Sequence, residues 1–130
     1  MKIMVCYDGS KPSIEALKEA KRQGDAYKAQ ILVVWSMVTE DRFHEKEITA
    51  ARNSLNQVKD AFEKEGLTCS INLSIRGMEP AEDIVLLAEE NDADQIIIGI
   101  RKRSQVGKLL MGSVAQQVIL HAKCPVLCVK

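Results

Sequence analysis

Positive charge gathers in one short stretch of this chain. The segment Gly99-Ile-Arg-Lys-Arg-Ser-Gln-Val-Gly-Lys-Leu-Leu-Met-Gly-Ser-Val114 places Arg101, Lys102, Arg103 and Lys108 within eight positions. The whole chain carries 18 basic and 18 acidic residues, so the cluster is a local anion funnel and not part of a general basic character. A glycine at residue 99, where a strand gives way to a loop, lets backbone approach a ligand closely. Gly112-Ser113 opens a helix whose free amides and dipole favour a phosphate. The alternative reading of the same residues is a long loop solvated by its charges, with glycines that only make turns. A second candidate is Tyr7-Asp8-Gly9-Ser10. By itself, an aspartate between a strand and Gly-Ser reads equally well as a turn or cap residue.

Other chemistries find little support. Gly107-Lys108 is followed by Leu109 and no glycine stands five places earlier, so there is no Walker loop. His44 is expected to begin a helix and His121 to end one, where an imidazole commonly completes a helix terminus. Hydrolysis of a phosphate would need a positioned base and a group to stabilise the leaving charge, and candidates for both are thin. Cys6, Cys69, Cys124 and Cys128 are scattered among apolar residues without a CxxC pair or metal-ligand spacing, which predicts reduced, buried thiols. The even charge balance argues against a nucleic-acid binder working through bulk charge.

These residues must be positioned by regular elements, and the hydrophobic pattern supplies them. Short β-branched runs alternate with longer segments of helical period, the pattern of parallel strands joined by crossover helices. Strands are predicted at 2–7, 31–37, 69–76, 95–99 and 126–129, and helices at 11–24, 44–65, 80–91 and 113–121. Ile48, Ala51, Leu55, Val58 and Phe62 form one face of the second helix, and Gly66 supplies its stop. Ile31 to Val34 and Ile96 to Ile98 are apolar throughout, as central strands covered on both faces must be. Cys69, Ile71, Leu73 and Ile75 alternate with polar residues, which predicts an edge strand with one face in water. Right-handed crossovers then give the order 3-2-1-4-5, a three-layer α/β sandwich of five parallel strands and four helices in one domain over residues 1–130. The order reverses between strands one and four. Ligands bind at the carboxyl ends of strands beside such a switch point, here Tyr7-Asp8-Gly9 and Gly99 onward.

The chain resembles the universal stress protein family. That family's nucleotide loop reads glycine, two residues, glycine, nine residues, then glycine followed by serine or threonine, and Gly99 with Gly112-Ser113 matches its first and last positions. Tyr7-Asp8-Gly9-Ser10 with Ala16-Leu17 resembles the family's opening segment, and His121-Ala-Lys-Cys-Pro-Val its carboxyl terminus. The resemblance implies a Rossmann-like adenine-nucleotide-binding fold with ATP or AMP as ligand, with or without Mg²⁺, and a stress-response role. It implies that Tyr7 and Asp8 line the site, Asp8 reaching the ribose or helping to hold the metal. It further implies that Ser36 presents backbone to adenine, that Gly99 faces the ribose, and that Gly112, Ser113 and Val114 offer donors to phosphate. Arg101, Lys102 and Arg103 add charge. The family's second loop glycine is replaced by Lys102. Either its ammonium group substitutes for a backbone donor, which keeps ATP, or its stem crowds the outer phosphates, which favours AMP or a cyclic nucleotide. An interaction protein with a vestigial loop, working through a signalling partner, is the reading from another class.

No apolar run reaches the roughly 18–20 residues that span a bilayer, and residue 2 onward reads as a strand without a signal pattern, so a cytoplasmic location is expected. Val126-Leu-Cys-Val129 is an apolar edge strand with nothing interrupting it. An unblunted edge predicts pairing with its copy in a homodimer, as the resemblance also implies.

Overall fold

Every strand but the third has apolar residues at consecutive positions pointing alternately up and down, and two separate cores form as a result. The computed structural model describes residues 1–39, 45–101 and 111–130. Its elements follow the order β1 (Lys2–Cys6), α1 (Lys11–Tyr27), β2 (Gln30–Ser36), α2 (Glu45–Lys64), β3 (Thr68–Ser74), α3 (Pro80–Glu90), β4 (Gln95–Gly99), α4 (Ser113–His121) and β5 (Val126–Val129). The five strands form one parallel sheet in the order β3-β2-β1-β4-β5. The register sets Met4 opposite both Leu32 and Ile96, and Val5 opposite Val33 and Ile97.

On one face Ile3, Val5, Ile31, Val33 and Ile97 meet Ala16, Leu17 and Ala20 of α1 and Leu55 and Phe62 of α2. On the other, Met4, Leu32, Val34, Ile96 and Ile98 meet Ile84 and Leu87 of α3 and Ala115 and Val118 of α4. Ile3, Met4, Ile96 and Ile97 are wholly buried. At about 1.5–3 kcal/mol for each large apolar side chain, burial on both faces is what holds the three layers together.

Two predicted boundaries are corrected by packing. Helix α1 runs through Gly24 to Tyr27 and ends at Lys28, whose left-handed backbone (φ 54) returns its amide to the Gly24 carbonyl. Gly24 is therefore an interior residue. A Cβ there would lie 3.0 Å from Leu67 Cδ2 and 3.2 Å from Ile31 Cδ1, so this glycine lets the helix press against the sheet and does not terminate it. Strand β3 ends at Ser74, short of Arg76, and its predicted polar face is not wholly in water, since Ser74 is buried. Where the pattern predicts a stop at Gly66, the structure has one: its φ of 83 closes α2, and Leu67 returns its amide to the Phe62 carbonyl.

Candidate functional site

The switch between β1 and β4 opens a cavity of about 350 Å³ at the carboxyl ends of the strands. Its wall from β2 carries Val34, Trp35 and Ser36, and α3 adds Pro80 and Ile84. The end of β1 contributes Cys6, Tyr7 and Asp8. On the far side lie Ile98, Gly99, Ile100 and Arg101, with Gly112, Ser113, Val114 and Ala115 at the start of α4. The structure thus brings Tyr7, Asp8, Ser36, Gly99, Arg101, Gly112, Ser113 and Val114 around one space. Lys102 and Arg103, with Lys108 and His44, lie outside the described residues.

Helices α1, α3 and α4 all begin beside the cavity, and the starts of α1 and α4 differ in one respect that bears on anions. At α1 the Ser10 hydroxyl accepts the Ser13 amide at 3.3 Å, and the Ser13 hydroxyl donates to the Ser10 carbonyl at 2.8 Å. At α4 the cap is Gly112, extended (φ −63, ψ 156) and without any side-chain cap. The first-turn amides of α4 therefore remain as donors at the positive end of a helix dipole, and the exposed Arg101 adds a full charge to that side of the cavity. An ideal Cβ on Gly112 would have no heavy atom of the described residues within 4 Å.

Gly99 is constrained differently. A Cβ there would run into the backbone carbonyl of Pro12 and lie 2.8 Å from Pro12 Cβ. This glycine is required by the first turn of α1 crossing the end of β4, a reason the sequence pattern does not reveal, in addition to its place on the cavity wall.

Asp8 Oδ1 accepts the Ser10 amide at 3.0 Å. Partial burial works against its charge, but hydrogen bonds from Ser10 and Ser13 and the nearby Arg101 outweigh it and hold the carboxyl below its ordinary range. Asp8 is thus an anion at neutral pH, an acceptor for hydroxyls. Tyr7 is fixed through its hydroxyl, 2.8 Å from Ser54 Oγ on α2, and by a T-shaped contact with Trp35 at 5.4 Å between centroids. Cys6 lines the cavity, yet burial first and Asp8 second push its thiol up to about 12, so it is no nucleophile. The described cysteines are all unpaired, and the expected burial holds for Cys6 and Cys69 but not for Cys124 and Cys128, which are half-buried at and just before the edge strand β5. His121 is exposed in the last turn of α4, its Nε2 3.1 Å from Gln117 Oε1 and away from the cavity.

One set of residues escaped the sequence reading. Asp83, on the buried face of α3 and 1% exposed, accepts hydrogen bonds from Ser36 Oγ at 2.6 Å and Arg76 Nε at 2.6 Å. Arg76 also pairs with Glu90 at 2.8 Å. This network ties the ends of β2 and β3 to α3 directly beneath the cavity wall. Its signal was present in the sequence, because Asp83 shares a helical face with Ile84, Leu87 and Ala88, where a lone carboxylate requires partners.

The model of the universal stress protein family matches residues 1–130. A universal stress protein of Thermus aquaticus is 33% identical over 134 residues, spanning 98% of this chain and 97% of the relative. A solved structure of a universal stress protein from Archaeoglobus fulgidus superposes with a TM-score of 0.89 at 40% identity, covering 100% of this chain and 98% of that one. Another from the same organism, solved in complex with dAMP, superposes with a TM-score of 0.83 at 35% identity and the same coverage.

Proposed function

This chain belongs to the universal stress protein family, and from that premise we propose that residues 1–130 act as one nucleotide-responsive unit that binds an adenine nucleotide in the cavity between β2 and α4. The observation that carries the reading is the cavity's polarity. Its α4 end offers uncapped amides and Arg101, and its β2 end is lined by Val34, Trp35, Pro80 and Ile84. A phosphate suits the first end and a flat heterocycle the second, with Asp8 between them as acceptor for ribose hydroxyls. The volume of about 350 Å³ falls within the roughly 300–1,000 Å³ usual for such sites.

ATP is the ligand that the family's loop implies. The dAMP complex of the 35% identical relative favours a monophosphate as the second reading. Among the described residues no three His, Cys, Asp or Glu side chains gather to hold a metal ion. The site therefore fits only a Mg²⁺ that arrives on phosphate oxygens, with Asp8 supplying the one carboxylate. We assign the protein to the cytoplasm, in communication with a signalling partner. No helix among the described residues is long and apolar enough to cross a membrane, which is compatible with that assignment. We further propose a homodimer through β5, which among the described residues pairs only with β4, so that its outer edge can take a second copy.

Calorimetry against ATP, AMP and cyclic AMP, each with and without Mg²⁺, tests the function. Saturable binding of at least one adenine nucleotide is expected. Absence of heat for all of them at millimolar concentration refutes the reading.

A further inference from the structure

Between α3 and α4 runs a groove of about 580 Å³ whose walls come from the two helices and the turn before α3, with no strand residue among them. Ala81 and Val85 of α3 and Val114 of α4 are half-buried and, with Met78, form its floor. Glu82 and Glu89 are exposed along one margin, and Gln117 and His121 along the other. Val85 follows Ala81 by one helical turn and Glu89 follows Glu82 by two, so the apolar and the acidic residues each keep to their own side of α3.

The acidic margin is short of counter-charge. Among the described residues Glu79 and Glu82 make no ion pair. Arg76, the nearest cation in sequence, is engaged by Asp83 and Glu90, and Lys123 stands 3.2 Å from Glu89. Acidic residues at the start of α3 suit its dipole, but Glu89 lies in the last turn, where the dipole disfavours an acid and no basic residue of the helix accompanies it. Helix stability therefore does not account for carboxylates at both ends of one apolar groove. An occupant with an apolar face and cationic margins does.

The walls also restrict the form of that occupant. Both are helices, whose backbone groups are bonded internally, so an extended segment finds no sheet edge to join. A helix can lay its apolar side chains between the two. The eleven residues of α3 run about 16 Å, room for about three turns. We propose that the α3–α4 groove docks an amphipathic helix of a partner protein, with lysine or arginine along one margin spaced to meet Glu82 and Glu89. Pro80, Ser113 and Val114 line both this groove and the cavity described above, so the docked helix lies against the cavity wall. Docking itself does not depend on whether a nucleotide fills that cavity.

The probe is a synthetic helical peptide of about 16 residues, with leucines along one face and lysines two turns apart on its margin. A twin carries glutamate in place of each lysine. Binding is read from the amide NMR shifts of the isotopically labelled chain. The basic peptide should bind with a Kd of about 10–500 µM, as befits a contact smaller than the roughly 1,200 Å² of stable complexes. It should move the amides of Ala81, Val85, Val114 and Gln117 and bind more weakly as salt is raised. The glutamate twin should bind about tenfold more weakly or worse. Glu79→Gln combined with Glu82→Gln, at exposed positions where the same spectra check the fold, should weaken the basic peptide about threefold or more. No binding at millimolar peptide, shifts confined to another surface, equal binding of the twins, or unchanged affinity in the double variant overturns the assignment. So does a groove already filled. Shifts at these amides that follow protein concentration without peptide give it to a second copy, and Overhauser contacts from residues 102–110 to Val85 give it to the chain itself.

Discussion

Replacing Gly112 with threonine separates the stability of α4 from its capacity to bind an anion. Gly112 caps α4 in an extended conformation any residue adopts, and a Cβ there meets nothing within 4 Å among the described residues, which leave room for the side chain. Threonine and glycine are comparable as helix caps, which limits the stability change to about 0.5 kcal/mol. For a chain of 130 residues, that corresponds to about 2 °C in Tm. The introduced hydroxyl would accept a first-turn amide, as Ser10 does from Ser13 at the start of α1, and so occupy a donor the phosphate needs. A charge-assisted hydrogen bond is worth about 1.5–3 kcal/mol, so Gly112→Thr should weaken nucleotide binding about 10- to 150-fold. Calorimetry read beside a thermal melt gives both quantities on the same sample. Unchanged affinity in a variant of unchanged Tm would show that phosphate does not contact α4, and the proposed orientation of the ligand would be wrong.

Gly99→Ala should behave in the opposite way, because its Cβ overlaps the Pro12 backbone. Overpacking of about 1–3 kcal/mol is expected, lowering Tm by about 4–12 °C, and a melt within 2 °C of the unmodified protein refutes the close approach. Asp83 has its carboxyl held below the ordinary range. Its stabilisation is therefore complete above the unfolded-state value near 3.9 and lost as pH falls through the lower folded value. Asp83→Ala should cost about 2–4 kcal/mol at neutral pH and less as pH falls from about 5 to about 2. Denaturant unfolding across that range checks it, and a cost independent of pH contradicts it. Leu127→Pro, in the middle of β5, should convert a dimer to a monomer with helix content retained. Light scattering with far-UV circular dichroism reads both, and a monomeric unmodified protein refutes the pairing.

The sheet was legible from the chain because its strands are short, β-branched and bounded by turn residues. Gln95–Gly99 and Val126–Val129 begin and end in the structure at the bounds predicted from the sequence. The strand order followed from right-handed crossovers with helices on both faces, and its reversal set Asp8 and Gly99 side by side. What the pattern could not supply were constraints imposed by a distant neighbour. The sequence pattern ends the first helix at Gly24, and only Leu67 and Ile31 pressing against it reveal an interior residue. Gly99 reads as a ligand-facing glycine, and only the first turn of α1 crossing β4 shows that the backbone itself forbids a side chain.

Ser36 shows the division most clearly. Its position at the end of a strand facing the switch point is a local property, carried by period and by the order of elements. The direction of its hydroxyl depends on Asp83, 47 residues away in sequence, and on Arg76 holding that carboxylate from the other side. Hydrophobic period acts over neighbouring residues and can be read one segment at a time. Donor and acceptor direction depends on which side chains the finished fold brings within hydrogen-bonding reach, and only the tertiary structure decides that.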